Sequence, residues 1–295
     1  MYSVLNITKD YDANNSKMSS TIGHEEEDFL ESCKLAYKYN YKGINLDLEK
    51  PKYSIETMKD ILNDFGLIGT SFHFTVKLSG TDFEFNESLK TFSKQAENAL
   101  KVGCNIALNY LPPFSNHLNF DSLFKLYVKR LCLVKNILLD NNIKIAFEFI
   151  GPTETRIHSK YDFIHTIDGV KCLISAADLY QNAGFKLDIH HWQHSGASLL
   201  DLKHLDLDYI IYLELNDALI GYNQFTMPEF KRMLPLKTGV NNVKGFLNTI
   251  YNKGFRGPVA VEPWNEELAL MSMEEAIKVS KQSLDDCFKL INLDS

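Results

Sequence analysis

Eight short apolar runs alternate with eight amphipathic stretches along this chain, and that alternation restricts its architecture more than any other feature. The runs cover residues 3–8, 43–48, 68–74, 104–110, 143–149, 185–189, 209–215 and 258–262. Several are rich in β-branched and aromatic side chains and apolar on both faces, as strands covered by helices on one side and a core on the other should be. The stretches between them, residues 25–39, 55–65, 87–102, 120–141, 162–182, 199–205, 243–253 and 273–290, carry helical spacing, as in Glu27, Phe29, Leu30, Cys33, Ala36 and Tyr37. Glycine punctuates the passage from helix to strand at Gly43, Gly66, Gly103, Gly184 and Gly254, where a left-handed helix exit is cheapest. Strict alternation demands a parallel sheet, and eight units predict its closure. The expectation is an α/β chain folded as a (β/α)8 TIM barrel, a single domain over residues 1–295. A doubly wound open sheet would announce a glycine-rich phosphate loop after an early strand, and the sequence has none.

Acidic residues stand at the downstream ends of four of these runs: Glu148 in AFEF, Asp188 in FKLDIHHW, Glu214 in YIIYLEL and Glu262 in PVAVEPW. In a closed parallel barrel those ends converge on one mouth. Side chains alternate along a strand, so Phe147 and Phe149 should face the helices while Glu148 points inward. Four carboxylates meeting there repel one another unless protons or a cation neutralise them, and a bound divalent ion is the economical answer. The segment from Asp188 to His194 adds His190, His191 and His194, and imidazole with carboxylate suits a first-row divalent metal. Asp188 reads as the ligand and His191 as the group that touches substrate, while His190 and His194 read equally well as bystanders. His73, Asn109, Asp217, Arg232 and Trp264 lie at or beyond strand ends and are candidates for holding substrate, Trp264 as a flat wall for a sugar ring. Asp217 has a plainer reading as the cap of the following turn.

Composition narrows the partners. A net charge of −7 with scattered Lys and Arg lacks the basic footprint of a nucleic-acid binder. Five cysteines without a CxxC spacing suggest reduced thiols. The first residues show no signal-peptide pattern, and no apolar run approaches the roughly 18 residues of a membrane span, so a soluble, cytoplasmic protein with no membrane partner is expected.

With LDIHHWQHSG, LKHLDLDYIIYLELNDA, RMLP and GFRGPVAVEPW, the chain resembles the xylose-isomerase-like TIM-barrel superfamily, often labelled sugar phosphate isomerase/epimerase, over nearly its whole length. The resemblance implies one divalent metal, with Glu148, Asp188 and Glu262 as ligands and His191 at the substrate. Glu214 stands where that family commonly places a metal-binding histidine; as a fourth ligand it would favour Mn²⁺ or Mg²⁺, with Zn²⁺ and Co²⁺ as further options. The implied activity is isomerisation or epimerisation of a small polyhydroxylated carbonyl compound, a sugar or keto-polyol, through an enediolate, with Glu148 and Glu262 exchanging the proton. A metal-dependent dehydratase acting on an inosose- or dehydroshikimate-like substrate is the closest alternative, and a non-catalytic sugar-binding barrel is a further one. The loops after the seventh and eighth strands lack the glycine-rich cradle used for phosphate. The AP endonucleases of the same superfamily need more histidines and a basic groove. Relatives of this kind often pair, which makes a homodimer an open expectation.

Overall fold

The computed structural model describes residues 1–7, 22, 24 and 28–291. Parts of the expected first strand and first helix, residues 8 and 25–27, lie outside the described residues. Eight parallel strands close into a barrel: β1 (Tyr2–Leu5), β2 (Gly43–Leu46), β3 (Ile68–His73), β4 (Ile106–Leu111), β6 (Lys144–Phe149), β8 (Ala183–Asp188), β9 (Ile210–Leu215) and β10 (Pro258–Val261). Two short strands, β5 (Phe114–Ser115) and β7 (Tyr161–Asp162), pair antiparallel in the loops after β4 and β6. Around the barrel run α1 (Phe29–Lys38), α2 (Ile55–Phe65), α3 (Asp82–Val102), α4 (Phe120–Asp140), α5 (Ile167–Ala176), α7 (Leu199–His204), α8 (Val243–Asn252) and α10 (Met273–Lys289), while α6 (Ile189–His194) and α9 (Glu266–Leu270) are short helices that follow β8 and β10. No described helix is long and apolar enough to cross a membrane, and the described cysteines form no disulfide with one another.

Every apolar run forms a barrel strand, and the differences lie at the ends. The stretch 162–182 is helical only over α5, because Tyr161 and Asp162 are drawn into β7 and Thr166 caps the helix by accepting from Gly169 N. The segment after Asp188 turns helical at once: the Asp188 carboxylate accepts from His190 N at 2.6 Å and so caps α6. Elsewhere the termini follow their sequences. Thr81 with Glu84 and Ser272 with Glu275 form capping boxes that open α3 and α10, and Gly66 closes α2 at φ 61°.

Strand periodicity divides the core in two. Phe147 and Phe185 are partners in register and face the helices, and Phe72 and Phe74 pack on Phe92 of α3 with ring centroids 6.3 and 4.7 Å apart. Fully burying one such ring contributes about 1.5–3 kcal/mol. A second, smaller cluster contains Val4, Ala146, Tyr212 and Ala260, drawn from β1, β6, β9 and β10, with Leu108 of β4 packed against it. It fills the barrel interior below the mouth, so that the next inward position on each strand falls at the C-terminal rim.

Candidate active site

Counting by two from that inner cluster gives the site. Ala146 leads to Glu148, Tyr212 to Glu214, and Ala260 to Glu262, while Lys186 and Asp188 follow each other on the inward face of β8. The register aligns them: Lys186 pairs with Tyr212, Asp188 with Glu214, and Glu214 with Ala260. Glu148, Asp188, Glu214 and Glu262 are exposed by only 5%, 1%, 0% and 2%. A fifth buried carboxylate, Glu229, arrives from the long loop after β9.

Burying that many charges is unfavourable unless each finds a partner, and two protein cations provide them. Lys186 Nζ lies 2.9 Å from Glu148 Oε2, 2.7 Å from Glu214 Oε2 and 3.4 Å from Glu262 Oε1. Arg232 donates from Nη1 to Asp188 Oδ2 at 2.8 Å and Glu262 Oε2 at 2.7 Å, and from Nη2 to Glu229 Oε1 at 2.6 Å. Its Nε donates to the Glu229 carbonyl at 2.9 Å. The Asn216 amide donates to both oxygens of Asp188, at 3.0 and 3.1 Å.

These surroundings separate the acids. Burial pushes Glu148 and Glu214 well above the ordinary carboxylate range, with Lys186 opposing and neighbouring carboxylates adding to the effect. Burial also raises Asp188 to about 8 and Glu229 to about 7, against the pull of Arg232. Glu262 is buried too, but Lys186 and Arg232 together overcome that and hold it below the usual range. Burial, reinforced by Arg232, keeps His190 and His191 far below the ordinary imidazole value and therefore neutral.

His191 sits on α6 with Nε2 3.5 Å from Glu148 Oε1, 3.4 Å from Glu229 Oε1 and 3.3 Å from Arg232 Nη2. The loop leaving β6 passes directly over this helix. A Cβ on Gly151 would collide with the His191 carbonyl oxygen and the Ser195 nitrogen, so only glycine permits the approach.

Glu148, Asp188, His191 and Glu262 each offer one ligand atom, and the four atoms lie within 4.8 Å of one another. Glu148 Oε1 is buried and accepts no hydrogen bond among the described residues. The buried Glu/Asp/His cluster is thus compatible with a divalent cation. Glu214, expected as a ligand, lies outside the four-atom group, and His191, expected at the substrate, lies inside it.

The remaining expected residues divide. Arg232 is at the centre of the site. His73 pairs in register with Leu108 and so shares the inward face; burial, with Lys77 and Lys186, pushes it down to about 4. Trp264, two residues beyond Glu262, packs edge-on against Phe230 with centroids 5.5 Å apart and is buried in a small apolar cluster. Asp217 is taken up by the backbone: its carboxylate accepts from the N–H groups of Ala218, Thr238, Gly239 and Asn241 at 2.7–2.9 Å, which organises the loop in place of the expected substrate contact. Asn109 is a correction. The register sets Tyr110 beside Glu148 and Asn109 beside Phe147, on the face turned to the helices. His190 and His194 are buried, rings 4.7 Å apart, and outside the four-atom group.

Lys186, Glu229 and Asn216 were not anticipated. Lys186 was legible, since a position two before Asp188 on a strand shares its face. Glu229 gives no such signal, because the loop that carries it has no periodicity.

Residues 33–287 match the family model described as xylose isomerase-like TIM barrel. The inosose isomerase of Halalkalibacterium halodurans is 26% identical over 171 residues, 55% of this chain and 56% of that relative. The chain thus matches the curated relatives over about half their length. Among solved structures, the zinc-binding IolI protein superposes with a TM-score of 0.80 at 18% identity, covering 99% of this chain and 100% of that one. D-psicose 3-epimerase, solved in the presence of D-fructose, superposes with a TM-score of 0.72 at 12% identity, covering 99% of each. At such identities the structural likeness concerns the fold. The family match extends over most of the sequence and coincides with a closed eight-stranded barrel, and the chain belongs to the xylose isomerase-like TIM-barrel family.

Proposed function

We propose that the protein is a divalent-metal-dependent isomerase or epimerase of a small sugar or keto-polyol, working through an enediolate. The observation that carries this reading is the meeting of Glu148, Asp188, His191 and Glu262 at the mouth of the barrel. These four would hold the ion, which when bound supplies Lewis-acid stabilisation of negative charge developing on substrate oxygen. Their carboxylate oxygens favour Mn²⁺ or Mg²⁺, and the imidazole admits Zn²⁺ or Co²⁺.

The side chains themselves supply the proton chemistry. Environments that push two acids apart assign their roles. Glu262, gripped by Arg232 through Oε2 at 2.7 Å, is the ionised member and takes a proton from carbon; Glu148 returns one from the other side. They stand on opposite sides of the β8–β9 pair, so a carbon seated between them can be approached from two directions. Glu148 engages Lys186 through Oε2 and keeps Oε1 for other work, which lets one carboxylate serve two tasks. Neutral His191 is the one imidazole in the ligand group, and Trp264 with Phe230 offers an apolar face for the carbon side of a ring. An inosose isomerase among the relatives and a ketose epimerase among the structural neighbours support the substrate class.

The test is incubation with Mn²⁺ and a panel of inososes, ketoses and aldoses in D₂O, followed by NMR and mass spectrometry. Conversion of one panel member to an isomer that differs in mass only by the deuterium entering beside its carbonyl carbon is expected. Loss of water would establish a dehydratase instead, and binding without exchange would establish a non-catalytic barrel.

A further inference from the structure

The mouth of the barrel already contains a cation of its own. Lys186 projects inward from β8 and sets its ammonium among Glu148, Glu214 and Glu262, all of them buried. Two of those carboxylates, Glu148 and Glu262, belong to the four-atom group that can hold a metal, and Glu214 does not. A divalent ion drawing on Glu148 and Glu262 would stand a few ångströms from the ammonium, and in a buried site two positive charges at that range repel strongly. Both cations cannot use the same pair of glutamates at full strength.

Glu214 offers the way out. Its contact with Lys186, at 2.7 Å, is the shortest of the three, and its side chain is fully buried. It enters from β9, in register with Asp188 of β8, while Glu148 enters from β6 on the other side of β8 and Glu262 follows β10. Lysine suits this duty, being a compact charge on a flexible four-carbon stem, where a guanidinium would be locked by its planar fork.

We infer that Lys186 is a built-in cation that competes with the divalent ion for Glu148 and Glu262, and that Glu214 is the carboxylate to which its ammonium retreats when the ion enters. The inference rests on the metal-binding reading above and assigns Glu214 to the lysine, not to the ion. Metal-free, the ammonium keeps the acids from driving the mouth apart; metal-loaded, Lys186 and Glu214 form a self-contained pair beneath the ion.

The experiment is Mn²⁺ titration by calorimetry of the full chain and of the Lys186→Met/Glu214→Gln double variant, which removes the pair together. The double variant is expected to bind Mn²⁺ about tenfold more tightly or better, within the range by which groups around a metal site shift affinity. Equal or weaker binding by a folded double variant overturns the inference and leaves the metal site standing; absence of Mn²⁺ binding by both proteins overturns the two readings together. A crystal of the unaltered chain soaked in Mn²⁺ needs no substitution. Lys186 Nζ should have left Glu148 and Glu262 and kept Glu214, and an ammonium still bridging Glu148 and Glu262 beside the ion would defeat the proposal.

Discussion

Two cations serve the same cluster of acids, and they do so in different ways. Arg232 spends its guanidinium on Asp188, Glu229 and Glu262 along defined directions, and Asn216 completes the hydrogen bonding of Asp188. Lys186 places one point charge among three carboxylates at unequal distances and, among the described residues, leaves Glu148 Oε1 without a hydrogen bond. Planar bidentate donors fix geometry, whereas a rotatable ammonium tolerates rearrangement. The guanidinium side of the mouth is therefore scaffold, the ammonium side is the part able to reorganise, and Glu262 belongs to both.

That division can be broken at its joint first. Glu262→Gln should lower turnover by about 10²–10⁴-fold, the usual worth of a positioned proton-transfer group, while the circular dichroism of the fold is retained. Normal deuterium exchange by that variant would remove Glu262 from the chemistry. On the scaffold side, Arg232→Met strands Asp188, Glu229 and Glu262 in a buried site. Breaking such a network should cost about 3–5 kcal/mol in urea unfolding, and Arg232→Lys should recover little of it because one ammonium cannot reproduce the fork. With Mn²⁺ present, Lys186→Met should cost less than Arg232→Met, and the reverse order would overturn the contrast.

The smallest effect is in pH. For metal-free protein, Asp188, raised to about 8, and Glu229, raised to about 7, hold protons in the native state that the unfolded chain has already released. Stability then falls as pH rises. The buried histidines act in the opposite sense, His73 and His194 being lowered to about 4 and His190 and His191 well below the ordinary value, all chiefly by burial, and their contribution fades only about one pH unit above the ordinary imidazole value of 6.5. Between about pH 7.5 and 8 the acids dominate, and stability should decline by about 1 kcal/mol per pH unit for each proton still held. Urea unfolding across that range after chelator treatment checks it, and a flat or rising profile would mean that the acids are ionised in the metal-free fold.

The barrel was legible because buried parallel strands read as continuous apolar runs and their helices as amphipathic stretches, signals that no local competitor masks. Glu148, Asp188 and Glu262 were legible for a related reason, as acids ending runs that must face inward. What stayed hidden depended on phase or on tertiary contacts. Asn109 was singled out only as a polar group near a strand end, but the register of β4 turns it toward the helices and sets Tyr110 beside Glu148. A one-residue choice changes the face. Lys186 lay inside an apolar strand, where a charge reads as an irregularity until its period with Asp188 is counted. Glu229 could not be placed because the path of its loop is set by backbone bonds to Asp217, an interaction that no nearby sequence pattern encodes.

Those bonds have a practical consequence. Asp217 stands just past β9, the strand that ends with Glu214, and gathers Thr238, Gly239 and Asn241 from the far end of the segment that delivers Glu229 and Arg232. The segment is thereby a detachable cassette with its clasp on the barrel. Anyone exchanging it to alter selectivity would have to keep the aspartate and the three amides as a matched fastening, or the transplanted arginine would arrive out of alignment with the acids it must grip.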